Sequence, residues 1–309
     1  NLKRANFLNY LPDDLVEYMK HITELNRKRN QQIISQAKEI NTLLQENSIT
    51  PIFLKGTGNL LEGLYEDVAE RMVGDIDLIV KRDDVVKSKN ILVDNGYRTL
   101  SETFSEHRHL GRLIHENKIA AVEIHKEFTK GDSVKEFNYK FIFDKIQHIN
   151  GIAFLGFQDQ LSLSIIAKQI NDLGNSFKDM SLRNAYDVFL LSKKCNSKNA
   201  VERFNKLFNP LNNFLAICFE TFNKPDSIQY TKTKAAENYM NDFYYYLENQ
   251  EMSKKHHKKT QRKNSIKQRL DILKKALVSK EHRNWLIKRV SDKDWQQQKL
   301  IQLGLKKAK

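Results

Sequence analysis

The ten residues RMVGDIDLIV, 71 to 80, constrain this chain more than any other stretch. Their β-branched and aliphatic side chains predict a strand, and strand alternation then puts Asp75 and Asp77 on one face with Ile76 on the other. Two carboxylates held side by side repel, and both stay ionised comfortably only with positive charge between them. A divalent cation meets that need. Hard oxygen donors, with water and phosphate completing the shell, describe Mg²⁺ (or Mn²⁺) rather than zinc. Taken alone, the pair is equally compatible with a solvent-facing edge strand.

What precedes the run gives it weight. "ITPIFLKG" reads as a short buried strand ending at Gly56, and "NLLEGLYED" as a helix beginning just after "GTG". Gly56 and Gly58 allow close backbone approach, Thr57 offers a hydroxyl, and the helix N-terminus would aim N–H groups at an anion. Downstream, "RDDVVKSKNILVDNGY" predicts a helix with Val85, Val86, Ile91 and Leu92 inward and Gly96 as its stop. "HRHLGRLIH" and "KIAAVEIHKEF" then predict an antiparallel pair joined at "ENK". In the second of these, Ala121, Glu123 and His125 share a face, so Glu123 is the candidate third carboxylate, with Glu127 next along that face. A salt-bridged strand residue is the alternative for Glu123, and Lys55 and Arg71 could do no more than offset the acids. His107, His109, His115 and His125 match no standard zinc spacing.

Upstream, Ile33, Ala37, Ile40 and Leu44 recur at helical spacing from Pro12 to about Gln45. After about Gly151 the strand signals fade, and four segments between 159 and 249 carry helical periodicity, one of them "SLRNAYDVFLLSKK" with Asp187 expected to cap or pair within this helical half. The fold class is therefore α+β: a mixed sheet flanked by helices, with a C-terminal helical domain. The expected divisions are 1–45 helical, 46–150 sheet domain, 151–250 helical domain and 251–309 basic tail. In "FYYYLEN" the aromatics are expected to serve packing.

Charge locates one further feature. The net charge is +14, and from Glu251 to Lys309 the 15 Lys and 4 Arg against 5 acidic residues account for all of it. Such a tail suits RNA, anionic lipid or another polyanion. "KKHHKKTQRKNSIKQR" is polar enough for a linker or an exposed basic helix. Two cysteines, Cys195 and Cys218, make neither a disulfide framework nor a zinc site, so a reducing cytoplasm is the expected home. No apolar run reaches the roughly 20 residues of a spanning helix, and no signal core opens the chain. The sequence starts at Asn1 rather than Met, as expected where an upstream piece precedes it.

In its order of motifs, "LKGTGNLL", then "RMVGDIDLIV", then "VEIHKEF", the chain resembles the nucleotidyltransferase superfamily of the DNA polymerase β type, and in particular a bacterial family of uncharacterised nucleotidyltransferases. The resemblance extends over roughly residues 20 to 195. It implies that Asp75, Asp77 and Glu123 are the catalytic metal ligands, that Gly56 and Thr57 contact NTP phosphates, and that Lys55 and Arg71 lie near the triphosphate; for Asp187 it offers a structural contact with the catalytic domain as the alternative to a role within the helical half. It departs from the usual pattern in having Gly-Thr at the phosphate turn and Glu as third carboxylate. The implied reaction is Mg²⁺-dependent transfer of a nucleoside monophosphate from an NTP, with ATP the default donor, to a hydroxyl acceptor: RNA such as a tRNA 3′ end, protein or a small molecule. A nucleotide-binding or interaction protein that keeps the fold without the activity is the alternative.

Overall fold

The computed structural model describes residues 2–100 and 103–302, and the chain forms two compact units, Asn1–Tyr245 and Tyr246–Lys309. In the first, the 34-residue helix α1 (Asp13–Glu46) follows Pro12 and has Asp13 and Asp14 in its first turn, where acids complement the helix dipole. Ile33, Ala37, Ile40 and Leu44 are all buried, as their spacing predicts. They form one packed cluster with Ile76, Leu78, Val122 and Ile124.

A seven-stranded mixed sheet follows, built from β1 (Ile52–Phe53), β2 (Asp75–Ile79), β3 (Arg98–Thr99), β4 (Leu113–Ile114), β5 (Ala121–His125), β6 (Gln147–Ile149) and β7 (Ile152–Phe154). Its order is β3-β4-β5-β2-β1-β7-β6. β2 pairs parallel with β5 and antiparallel with β1, and β4 and β5 form the expected antiparallel pair. The sheet continues past residue 150, because β7 lies parallel against β1. Two helices pack around these strands. α2 (Lys55–Glu62) starts four residues earlier than its sequence pattern indicates, so "KGTGN" is helical rather than a turn after a strand. α3 (Val85–Asp94) buries Val85 and Leu92 and ends at Gly96, at φ +88°, but Val86 is 64% exposed. With β-branched residues at consecutive positions, only one of the two can face the sheet.

The opposite sheet face is covered by a helical half made up of α4 (Tyr139–Ile142), α5 (Phe157–Ile166), α6 (Gly174–Phe177), α7 (Leu182–Ser192), α8 (Ser197–Glu202), α9 (Phe208–Thr221) and α10 (Lys234–Glu248), the boundary between the units falling within the last. Ile52, Ile79 and Ala153 pack there with Leu161, Ile165, Val188 and Phe214. The alternation in β2 therefore buries Ile76 and Leu78 toward α1, while Asp75 and Asp77 lie on the side of α5 and α7. A one-residue slip of β2 would bury both acids under α1, so the apolar pattern enforces the register.

The second unit holds α11 (Gln250–Val278), α12 (Lys280–Ser291) and α13 (Lys293–Gln302). The segment expected as linker or exposed basic helix is an exposed helix. Residues 303–309 of the expected tail lie outside the described residues. In the aromatic run, Phe243 is buried, while Tyr244 and Tyr245 are exposed. Among the described residues, Cys195 and Cys218 are free thiols and no helix is long and apolar enough to cross a membrane.

Candidate active site

The parallel register of β2 on β5 sets Asp75 beside Ala121, Asp77 beside Glu123 and Ile79 beside His125. Residues distant in sequence thus share one sheet face. Ligand atoms of Asp77, Glu123 and His125 all lie within 4.8 Å of one another, and Asp75 stands one pleat along.

Each acid already has a cationic or polar neighbour. Lys55 Nζ donates to Asp77 Oδ1 at 2.6 Å, and His125 Nε2 lies 2.8 Å from the same oxygen. Burial by itself would raise the Asp77 pKa, but the Lys55 ammonium and the His125 contact prevail and hold it far below the usual carboxylate range. Burial keeps His125 below its ordinary value, against the pull of Asp77, whose carboxylate its Nε2 faces. Arg112 donates from Nε to Glu123 Oε1 at 2.8 Å and from Nη2 to Asp75 Oδ2. Asp75 is pushed up, first by burial and then by Glu123 and Asp77, against the pull of Arg112. Both edges of the carboxylate group are thus closed by a cation, Lys55 at one and Arg112 at the other.

Lys55 reaches Asp77 from an unusual backbone. Its φ is +52°, a left-handed conformation that costs a non-glycine residue of order 1 kcal/mol or more. From there its side chain reaches Asp77, the middle residue of β2. The two glycines that follow are required by packing. A Cβ on Gly58 would stand 2.7 Å from the Phe53 carbonyl oxygen, and one on Gly56 would stand 3.0 Å from Val73 Cγ2. The Thr57 hydroxyl, 1% exposed, donates to the Asp75 carbonyl at 2.8 Å and ties α2 to β2. The first intrahelical bond runs from Gly58 N to Leu54 O, so the N–H groups of Gly56 and Thr57 come before it and are the donors this turn can offer an anion.

Arg71 is committed elsewhere. Its Nε donates to both Asp187 carboxylate oxygens at 3.1 and 3.2 Å, its Nη1 donates to the Met72 carbonyl, and the Tyr65 hydroxyl donates to Asp187 at 2.7 Å. Asp187 thus joins α7 to the segment before β2, the contact with the sheet domain that the resemblance allows, rather than pairing within the helical half. Burial raises the Asp187 pKa, with Arg71 and Tyr65 pulling against it.

A cavity of about 340 Å³ opens over the carboxylates between the sheet and the α5–α7 side. Lys55, Gly56, Arg71, Asp75, Asp77 and Glu123 line it, together with Arg108, Arg112 and Arg183. Sequence reasoning missed these three arginines. Arg108 and Arg112 stand on the strand segment that runs back along β5, which could have flagged them; Arg183 sits in the first turn of α7 and carries no such signal. Arg108 and Arg183 make no ion pair among the described residues. Glu127 pairs with Arg82 instead of joining the acids, and His107 packs on the ring of His109, which lies 3.6 Å from Glu123. Asp77, Glu123 and His125 lie close enough together to hold a metal ion, once Lys55 and Arg112 yield their bonds to the two acids.

A mixed sheet that presents strand carboxylates from two neighbouring strands to a cation-lined cavity, beside a glycine-bearing strand–helix junction, is the nucleotidyltransferase type of fold. The chain belongs to the family described as uncharacterised nucleotidyltransferase, which it matches over residues 1–223. No curated protein matches it. Among solved structures it is similar to JHP933 from Helicobacter pylori, at 13% identity over 81% of this chain and 97% of that one, with a TM-score of 0.33. A second H. pylori structure, described as that of a candidate nucleotidyltransferase, is 14% identical over 77% of this chain and 96% of its own, with a TM-score of 0.31. Likeness of that degree says nothing about activity.

Proposed function

We propose that this site transfers a nucleoside monophosphate from an NTP to a hydroxyl acceptor. The observation that carries the reading is the pairing of Asp77 with Glu123 across β2 and β5, with Asp75 beside them, facing a cavity rich in arginine. Asp75, Asp77 and Glu123 would hold Mg²⁺ or Mn²⁺, which supplies Lewis acidity at the phosphate and favours ionisation of the attacking hydroxyl. Asp77 stays ionised at any physiological pH, and His125 fixes its orientation from behind. Arg108 and Arg183 would offset the triphosphate charge, with the N–H groups of Gly56 and Thr57 at the start of α2. Arg71 would act through its Asp187 pair, holding the cavity wall. Lys55 and Arg112 would exchange their carboxylate contacts for phosphate as substrate enters. ATP is the default donor, since no residue in the cavity singles out a base. The acceptor is RNA, such as a tRNA 3′ end, or a protein or small-molecule hydroxyl, and a reducing cytoplasm suits the two free thiols.

A second reading, nucleotide binding without transfer, draws on the ion pairs that Lys55 and Arg112 already make with the acids. One experiment separates them. The protein is incubated with each α-phosphate-labelled NTP, Mg²⁺ or Mn²⁺, and separate pools of cellular RNA, protein and metabolites, with Asp77→Ala as control. Label in one pool that disappears with the variant supports transfer and names the acceptor class. NTP binding with no label in any pool favours the second reading.

A further inference from the structure

Helix α11 carries an exposed aliphatic stripe that neither the fold nor the site uses. Ile266, Leu270, Leu273 and Leu277 are 49%, 53%, 53% and 81% exposed. Their spacing of four, three and four residues stacks them along one line of the helix surface, roughly 16 Å long at 1.5 Å per residue. Buried Ala276 lies about a quarter-turn away, so the stripe is not the face that α11 packs inward. Exposed basic residues frame it on both sides: Lys263, Lys267 and Lys274 along one edge, Arg262 and Arg269 along the other. Asp271 projects from a different side of the helix and pairs with Lys275.

The framing chooses among occupants. A second copy of the chain would bring basic edge against basic edge beside the apolar seam, and like charges flanking such a seam oppose pairing. A nucleic acid would engage the Lys and Arg but gain nothing from four aliphatic side chains, since its bases stack on aromatic or guanidinium planes. An anionic bilayer satisfies both parts, taking the aliphatic groups at the boundary between headgroup and acyl chain and the cations at the headgroups. We infer that the 266–277 face of α11 rests on an anionic lipid surface, with Ile266, Leu270, Leu273 and Leu277 inserted and the flanking Lys and Arg on lipid phosphates. The inference is independent of the proposed transfer activity.

The test is flotation of the full chain with vesicles of phosphatidylcholine alone or mixed with phosphatidylglycerol. Each basic side chain near an anionic surface strengthens binding by about fivefold, so the mixed vesicles should retain the protein and the neutral ones should not. Leu270→Glu with Leu273→Glu should weaken partition by more than about tenfold, because two buried leucines are exchanged for two anions. Both positions are exposed, so an unchanged circular dichroism spectrum is expected of the variant, and Leu270→Ser with Leu273→Ser should weaken binding in the same direction. Equal binding of the Glu variant and the parent to mixed vesicles would overturn the inference. So would a parent dimer in solution that the Glu variant converts to monomer, or binding of random-sequence RNA that displaces the vesicles and ignores the leucines.

Discussion

Replacing Asp187 by Ala should destabilise the first unit by about 3–5 kcal/mol, the cost of leaving one partner of a buried ion pair uncompensated. The side chains of Arg71 and Asp187 are only 10% and 3% exposed, so solvent screens the orphaned guanidinium little. The substitution removes both of its carboxylate contacts and also strips the Tyr65 hydroxyl of its acceptor, worth about 1 kcal/mol more. The Met72 carbonyl, still bonded to Nη1, offsets part of this. The cost does not imply that the pair is net stabilising. Burial raises the Asp187 pKa with Arg71 pulling against it, the direction expected where desolvation offsets the attraction within a buried pair. Arg71→Met combined with Asp187→Leu should therefore recover most of the loss. Urea titration read by hydrogen exchange of β2 and α7 peptides measures opening in this unit, free of signal from the second. A cost below about 1 kcal/mol for Asp187→Ala, or a double variant no more stable than the single, would refute the reasoning.

Gly58→Ala should lower stability by about 1–3 kcal/mol, because the new methyl would press on the Phe53 carbonyl, and a thermal melt no lower than the parent's would contradict the close contact. Arg112→Gln should tighten Mn²⁺ binding a few-fold, read by electron paramagnetic resonance without nucleotide, since Asp75 and Glu123 lose a competing cation. Unchanged or weaker affinity would mean that the guanidinium is not in the ion's way. Burial, then Lys130 and His109, hold His107 down to about 4, so an NMR titration should show its midpoint near there and not near the ordinary 6.5. The unfolded chain takes up that proton first, so His107 contributes stability above pH 6.5 that is lost as pH falls toward 4. His107→Asn should flatten the melting temperature across that window.

Local patterning was legible in the sequence wherever one residue's neighbours along the chain decide its environment. The spacing of Ile33, Ala37, Ile40 and Leu44 specified the buried stripe of α1, alternation in "DIDLIV" specified a shared face for Asp75 and Asp77, and Gly96 marked the end of α3. Where chain neighbours do not decide, the sequence was silent. "KGTGN" reads as a turn because glycine disfavours helix, yet α2 starts there because only glycine fits beneath the Phe53 carbonyl, a contact set by how α2 lies on β1. The Thr57 hydroxyl, expected to face a ligand, is taken by the Asp75 carbonyl for the same reason. Val86 matched the apolar period of α3 but points outward. The largest gap lies in the site itself. Asp77, Glu123, His125 and Lys55 meet only through the β2–β5 register and the left-handed backbone at Lys55, and Arg112, Arg183 and Asp187 reach the same cavity from separate elements. Sequence periodicity determined which side chains share a face because that depends on bond geometry within one element. Which faces meet, and which cation lies against which carboxylate, was decided by strand pairing and helix packing, since those contacts join residues that the chain order keeps apart.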